Sequence, residues 1–212
     1  MERFETEEQQ IEAIKGFWKE NGMVIVLGAL LGLGGLWGWR AYNDNVISSK
    51  EAASSAYTAS IEQFVESEEI DALSAFVNEN EGTGYAPLAS MIVAQQAIDK
   101  SDYETAIKYL TIAASDKGEV ADVAKLRLAA VHLEVGEFSK ALVQLDAVTS
   151  ASFEDQVQEL KGDVLYAQGE FDQAKEAYNL ALLELPNDAN IKMKLDNIAF
   201  AKTQAVSANS EQ

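Results

Sequence analysis

Residues 21–39 read Asn-Gly-Met-Val-Ile-Val-Leu-Gly-Ala-Leu-Leu-Gly-Leu-Gly-Gly-Leu-Trp-Gly-Trp, and no charged side chain lies between Glu20 and Arg40. A helix of about 19 residues rises about 28 Å, which nearly matches a hydrocarbon core of about 30 Å. A single segment in lipid must satisfy its own backbone hydrogen bonds, so this stretch is predicted to be helical. We therefore interpret 21–40 as a transmembrane signal-anchor helix with the two parts of the chain on opposite sides of a membrane.

Two other interpretations of this stretch remain open. A core helix of a soluble protein would carry some polar face, and this stretch has none. A cleaved signal peptide would have a short basic lead and a small-residue cleavage site, whereas this lead is long and mostly acidic. The nearest small-residue cluster, Ala-Ser-Ser-Ala at 53–56, lies well downstream. An uncleaved anchor is the favoured interpretation.

The flanks of the stretch indicate an orientation. Residues 1–20 read as an acidic tail that becomes an amphipathic helix, and aromatic rings prefer the headgroup level at both ends of a span: Phe17, Trp18, Trp37, Trp39 and Tyr42. Lys15 and Lys19 lie just before the span, whereas Arg40 and Lys50 are more spread out beyond it. This bias favours a cytoplasmic amino terminus.

Small residues mark one side of the predicted membrane helix. Gly28 and Gly32 form a Gly-x-x-x-Gly pair, and Gly35 lies one turn further along. Such residues let a second helix approach closely, so we predict helix packing here. The alternative is that glycine is simply common in membrane helices.

Composition excludes several classes of function. The net charge is −19, and residues 1–40 hold four basic and six acidic side chains, so residues 41–212 carry −17. This charge repels phosphate backbones and argues against nucleic-acid binding; it favours solubility or basic partners. The chain has no cysteine and one histidine, His132, on an apolar-periodic helix. We therefore predict no catalytic residues, no metal site and no cofactor, and interpret the protein as a non-enzyme.

A repeat with a period near 34 begins at Pro87. Its matched turns start at Ser101, Gly136 and Gly169, which are 35 and 33 residues apart, and each has an aromatic two residues on. Glycine suits a helix C-cap with a left-handed backbone. Alanines follow where two helices would cross closely: Ala106, Ala141 and Ala174. Each unit is therefore predicted to be a helix, a tight turn and a second helix.

The third unit, which includes Gly162, closely resembles a tetratricopeptide repeat, and the other two are degenerate. The predicted fold class is all-α, one transmembrane helix followed by a tetratricopeptide-like α-solenoid. The domain is expected over 41–203, with separate helices over 43–66 and 70–80 before the repeats. The repeats are expected over about 87–119, 122–154 and 155–188, then a capping helix over 188–203 and a disordered tail over 204–212.

Resemblance to tetratricopeptide repeats implies that the opening helix of each unit lines a concave binding surface. Carried over by spacing, the implied groove residues are Met91, Gln95, Leu126, Ala130, Glu159, Asp163 and Tyr166. Apolar residues among them would suit peptide or helix docking. The alternative is that several pack against neighbouring repeats.

The whole chain resembles the bacterial ancillary SecYEG translocon subunits. The resemblance rests on five short matches: Glu20-Asn21-Gly22, the Gly28/Gly32 pattern, Gly38-Trp39-Arg40, Ala86-Pro87-Leu88-Ala89 and Ala94-Gln95-Gln96. It implies a single-pass protein of the bacterial inner membrane with a cytoplasmic amino terminus and a periplasmic carboxy-terminal domain. The implied partners are the SecYEG translocon, a periplasmic chaperone resembling a membrane-anchored prolyl isomerase, and secreted client proteins.

Two other functions remain open at this point. One is a membrane-tethered tetratricopeptide scaffold in envelope biogenesis or cell division. The other is a regulator that acts through the cytoplasmic tail.

Overall fold

The structure is a computed structural model that describes the backbone of residues 7–210 and the side chains of residues 9–201. The chain divides into two compact units, Met1–Ala52 and Ala53–Gln212. No β-strand occurs within residues 7–210, so the all-α fold class is confirmed. The helices are α1 Glu7–Ser67, α2 Asp71–Glu79, α3 Tyr85–Asp99, α4 Tyr103–Ala114, α5 Glu119–Glu134, α6 Phe138–Asp146, α7 Glu154–Ala167, α8 Phe171–Glu184 and α9 Ala189–Ser210, with a 3-10 turn at Ala151–Phe153.

The described residues of the first unit, 7–52, all belong to α1, and the apolar side chains from Met23 to Trp39 are exposed. Among the residues that the structure describes, the Gln9–Ser67 part of α1 alone is long and apolar enough to cross a membrane. Leu31 is 78% exposed and Trp37 is 77% exposed. A core helix of a soluble protein would bury such side chains, so their exposure supports a membrane environment.

The helical segments predicted over 1–20, 21–40 and 43–66 join into one helix within the described residues. α1 runs for 61 residues without interruption, about three times the roughly 20 that a membrane requires. Residues 41–52 contain neither proline nor glycine, so no residue there favours ending the helix. The predicted tail residues 1–6 lie outside the described part of the chain.

The second unit stacks three antiparallel helix pairs, α3 with α4, α5 with α6, and α7 with α8. Successive opening helices α3, α5 and α7 also contact one another, and α9 packs on α8. This is the arrangement that the repeat predicts. The end of α1, from Ala53, joins the first pair through Tyr57, Ile61 and Phe64, which pack on the core of α2 to α5.

The three predicted turns share one backbone geometry. Ser101, Gly136 and Gly169 all have a left-handed backbone, with φ of 57°, 75° and 82°. The next residue of each turn donates to a carbonyl five residues earlier, at 2.8 Å for Asp102, 2.7 Å for Glu137 and 2.9 Å for Glu170. This is the Schellman helix end that the glycines predict.

Close crossing within each pair depends on the matched alanines. Ala106, Ala141 and Ala174 have no solvent exposure, and each lies just inside the second helix of its pair. A larger side chain at these positions would force the two helix axes apart.

The carboxy-terminal helix is longer than the sequence predicts. α9 continues to Ser210, whereas we expected the capping helix to end at 203 and a disordered tail to follow. No glycine or proline interrupts residues 203–210, so the helix has no residue at which it must stop. Residues 211–212 lie outside the described residues.

Candidate functional site

The second unit carries an open groove of about 490 Å³ beside its first helix pair. We call it the α1–α3 groove, and its lining residues are Tyr57, Phe64, Leu88, Met91, Ile92, Gln95, Gln96 and Arg127. Two of them, Met91 and Gln95, belong to the predicted binding surface. Of the other lining residues, three lie on α3 and one on α5, and Tyr57 and Phe64 come from the end of α1, which the repeat pattern does not include.

Helical spacing places the floor of the groove on α3. Leu88, Met91, Ile92 and Gln95 recur at intervals of three and four residues, so they share one side of the helix. Leu88 is 37% exposed although α3 buries most of its other apolar side chains. The floor is therefore an apolar strip that the chain itself leaves uncovered.

Aromatic contacts hold the α1 wall in place. The Tyr57 ring stacks on Tyr85 with centroids 5.3 Å apart, and it meets the Phe76 ring at 5.7 Å. Such aromatic pairs contribute about 0.5–1.5 kcal/mol each beyond their burial. Because the wall is fixed from three helices, the groove exists before any partner binds.

One end of the groove is polar. Gln95 Nε2 donates to Asp99 Oδ1 at 2.9 Å, and Gln96 Nε2 donates to the Glu68 carbonyl at 3.4 Å. Within the described residues, no ion pair forms at Arg127. This end combines two amide side chains with the Asp99 carboxylate and the Glu68 backbone carbonyl.

The other predicted groove residues are not brought to this groove. Leu126 is 8% exposed and belongs to the core of the second pair, while Ala130 is exposed on α5. Tyr166 is partly exposed, and its ring meets the Phe171 ring edge-on with centroids 5.4 Å apart. Their role in partner binding stays a prediction.

Glu159 and Asp163 form ion pairs and hydrogen bonds with side chains of α9. Lys194 Nζ lies 2.6 Å from Glu159 Oε1 and 2.7 Å from Asp163 Oδ2. Tyr178 donates to Asp163 Oδ1 at 2.7 Å, and Asn190 donates to Glu159 Oε1 at 2.8 Å. We call these five residues the Lys194 cluster. It attaches the capping helix to the third pair.

The ionisation of the Lys194 cluster follows from this geometry. Burial lowers the pKa of Lys194, but the hydrogen bonds to Asp163 and Glu159 outweigh that effect, so its pKa is raised. Burial and the hydrogen bond to Asp163 both raise the pKa of Tyr178. At neutral pH the cluster therefore holds one ammonium against carboxylates and a protonated phenol.

Gly162 is needed beside this cluster. A Cβ atom at Gly162 would lie 2.4 Å from Tyr178 Cε1 and 2.5 Å from Cδ1. Tyr178 is 2% exposed, so its ring has little room to move. Close approach of α7 to α8 therefore requires glycine at this position.

A second polar centre, Asp122, was not predicted. This buried carboxylate accepts from the Thr149 and Ser150 backbone N–H groups at 3.2 and 2.9 Å and from Lys125 Nζ at 2.8 Å. Burial raises the pKa of Asp122, but the hydrogen bonds from Lys125, Ser150 and Thr149 outweigh it, so the pKa is lowered. The centre fixes the α6–α7 connection rather than forming an open site.

The lone histidine also has a structural contact. His132 is buried, and its Nδ1 lies 2.7 Å from Glu137 Oε2, so the ring bridges α5 to the turn that follows it. Within residues 9–201, no three histidine, aspartate or glutamate side chains converge to hold a metal ion.

The membrane glycines leave one side of α1 open. A Cβ atom at Gly28, Gly32 or Gly35 would meet nothing within 4 Å. These positions therefore offer space to a helix from another chain. Their use in helix packing stays a prediction.

Comparison with known proteins gives a consistent result over nearly the full length. A family model described as a tetratricopeptide repeat-like domain matches residues 15–200. The chain is 32% identical to the ancillary SecYEG translocon subunit of Escherichia coli strain K12 over 207 residues, covering 94% of this chain and 100% of that protein. It is 30% identical to the protein of the same name from Haemophilus influenzae, covering 91% and 97%, and 27% identical to the one from Neisseria gonorrhoeae, with the same coverage.

Proposed function

This chain belongs to the tetratricopeptide repeat-like family of the ancillary SecYEG translocon subunits, and from that premise we propose that it is an accessory subunit of a SecYEG translocon. The observation that carries the proposal is the match to relatives of that name along almost the entire chain, anchor and repeats included. The protein acts by protein–protein contacts and not by chemistry. We place it in the bacterial inner membrane.

The proposed orientation has the amino terminus in the cytoplasm and the repeat domain in the periplasm. Lys15 and Lys19 support it, because basic residues near a span favour the cytoplasmic side. The chain has no cysteine, so single cysteines at Gln9 and Glu51 give a clean test. In intact cells with a permeable outer membrane, a maleimide that cannot cross the inner membrane should label Glu51→Cys and not Gln9→Cys. Labelling of Gln9→Cys alone would show the opposite orientation.

The span supplies the contact with the translocon in this proposal. Its glycine side, Gly28 and Gly32, is open, and close packing of a second helix is favoured where side chains are small. Held beside the exit of the translocon, the repeat domain would meet emerging chains at a high effective concentration.

The α1–α3 groove supplies the second contact. We propose that it links the translocon to a periplasmic chaperone, such as a membrane-anchored prolyl-isomerase-like protein, and through it to secreted clients. Its exposed apolar floor and fixed aromatic wall support this role, since open apolar strips on a soluble domain commonly mark interaction sites.

Photo-crosslinking from the span tests the translocon contact. A photoreactive residue at Gly28 or Gly32 should give adducts with translocon subunits. The matched control is Leu30, which lies on the opposite side of the helix at 3.6 residues per turn and should give fewer adducts.

The identity of the adducts decides between the functions considered. Adducts with division or envelope-assembly proteins, in place of translocon subunits, would instead support a scaffold in those processes. If deletion of residues 2–15 alone abolished the phenotype with the repeat domain intact, the cytoplasmic tail would be the active part.

A further inference from the structure

We propose that the α1–α3 groove receives an amphipathic helical segment that carries its own positive charge. Apolar side chains of the segment lie on the floor of the groove, and its lysine or arginine side chains face the acidic surroundings. This inference rests on the proposed function, because it names the chemistry of the partner at the same groove.

The shape of the floor fits a helix. Leu88, Met91 and Ile92 form a strip along two successive turns of α3, with Tyr57 and Phe64 rising beside it. Two helical turns are about 11 Å long, so the strip accepts two or three apolar side chains spaced three and four residues apart. A groove with one wall and an open side suits a helix laid along it better than an enclosed small molecule.

The segments that build most of the groove carry only negative charge. Residues 51–99, which supply the end of α1 and all of α2 and α3, contain nine acidic side chains and no basic one. None of the nine takes part in an ion pair within the described structure. The Asp99 carboxylate reaches the polar end of the groove, where it accepts from Gln95, and Glu68 is placed beside that end by the bond from Gln96 to its backbone carbonyl.

The later repeats are different. There, ten basic side chains accompany eighteen acidic ones over residues 100–200, and some carboxylates pair with lysines, as in Lys125–Asp122, Lys140–Glu137 and Lys161–Asp146. Negative charge is therefore left uncompensated on the part of the domain that builds the groove. Complementary charge across an interface speeds association and selects partners, so a cationic segment is favoured there.

Arg127 gives the bound segment a direction. It is the one basic residue among the groove lining, and no carboxylate of the described residues pairs with it. A cation is favoured at the carboxy end of a helix, where unpaired carbonyls point outward. The segment therefore places its carboxy end at Arg127 and its basic side chains further along the groove.

The test uses the full chain in nanodiscs of zwitterionic lipid, with empty nanodiscs as the background. The probe is an 18-residue fluorescent peptide with leucines spaced three and four residues apart and lysines elsewhere, and its partner peptide has glutamates in place of the lysines. Fluorescence anisotropy gives both affinities. We expect the lysine peptide to bind at least about 10-fold more tightly, and a rise from 50 to 500 mM salt to weaken it about 10-fold.

Variants of the chain separate the contribution of charge from that of apolar contact. Glu68→Lys with Asp99→Lys should weaken the lysine peptide about 10-fold and improve the glutamate peptide. The matched control, Glu176→Lys with Glu184→Lys, makes the same charge change on α8, which packs on α7 and α9, and should weaken it by less than about 2-fold. Arg127→Gln should weaken the lysine peptide by about 2-fold, because it removes the cation at the carboxy end of the bound helix, and Leu88→Ala should weaken both peptides. Thermal melts of each variant show that it is folded.

Equal binding of the two peptides, no effect of salt, or equal effects of the groove and α8 variants would overturn the inference. These results are independent of the crosslinks from Gly28 and Gly32. Translocon adducts with no lysine-peptide preference would refute only the chemistry of the groove. Loss of the adducts with the preference intact would refute only the placement beside the translocon.

Discussion

Substitution of Gly162 by alanine should destabilise the third repeat although alanine is the better helix former. The new Cβ would lie 2.4–2.9 Å from three atoms of the Tyr178 ring, so the ring or the helix must move by about 1 Å to restore ordinary contact. The ring is buried, and its hydroxyl donates to Asp163 at 2.7 Å. Any shift of the ring therefore also strains the Lys194 cluster.

The magnitude follows from three opposing effects. Overpacking of a filled core costs about 1–3 kcal/mol. A weakened buried hydrogen bond adds about 1 kcal/mol, while alanine regains up to about 1 kcal/mol of helix propensity. The expected loss is about 2–3 kcal/mol, or about 5–10 °C in Tm for a domain of this size.

A double-mutant cycle isolates the clash. Urea unfolding of the full chain in detergent, followed by circular dichroism, is measured for Gly162→Ala, Tyr178→Ala and both together. Tyr178→Ala alone should cost about 3–5 kcal/mol because it leaves a cavity. In that background Gly162→Ala should be neutral or stabilising by up to about 1 kcal/mol. Equal cost of Gly162→Ala in both backgrounds, or no cost in the parent, would refute the reasoning.

Three further perturbations test other parts of the repeat domain. Ser101→Gly should stabilise the domain by about 0.5–1 kcal/mol in urea unfolding, because Ser101 holds a left-handed backbone with φ of 57°, and a fall in stability would contradict this. Asp122→Ala should cost about 2–4 kcal/mol at pH 7. Because the folded pKa of Asp122 is lowered, its contribution is present above about pH 4 and is lost as pH falls through that lowered pKa, so the parent and the variant should converge in acid-unfolding curves. Lys194→Met should cost about 1–3 kcal/mol at pH 7, since it leaves two carboxylates without their cation. The folded pKa of Lys194 is raised, so this contribution persists below about pH 10 and disappears above the raised pKa, and a difference that grew with pH would contradict it.

Local signals explain what the sequence could predict. A glycine followed two residues later by an aromatic, repeated near a period of 34, predicts the turns at Gly136 and Gly169, because the helix end depends on a few adjacent residues. Ser101 fits the same period, and the structure gives it the same left-handed backbone. The resemblance to tetratricopeptide repeats implied a surface that includes Met91 and Gln95, and both line the α1–α3 groove, while their role in binding stays a prediction.

Long-range features were not predictable in this way. The Lys194 cluster joins residues 31 to 35 positions apart, and their meeting depends on the register of α9 against α7. Asp122 reads as an ordinary acidic residue in the first turn of α5, and only the fold brings Thr149 and Ser150 to it. The α1 wall of the groove lies outside the repeats, so repeat spacing could not include Tyr57 or Phe64.

The Lys194 cluster also sets the order in which the helices of the third repeat can fold during synthesis. Ribosomes deliver a chain amino end first, so α7 and α8 exist before α9 has been made. Until Lys194 arrives, Glu159 and Asp163 face each other without a cation, and the apolar surface that Ile191 and Ile198 later cover stays open to water. The third repeat therefore completes its packing only after the last stretch of the chain has emerged. A nascent chain halted before Lys194 would expose uncovered apolar surface that favours aggregation.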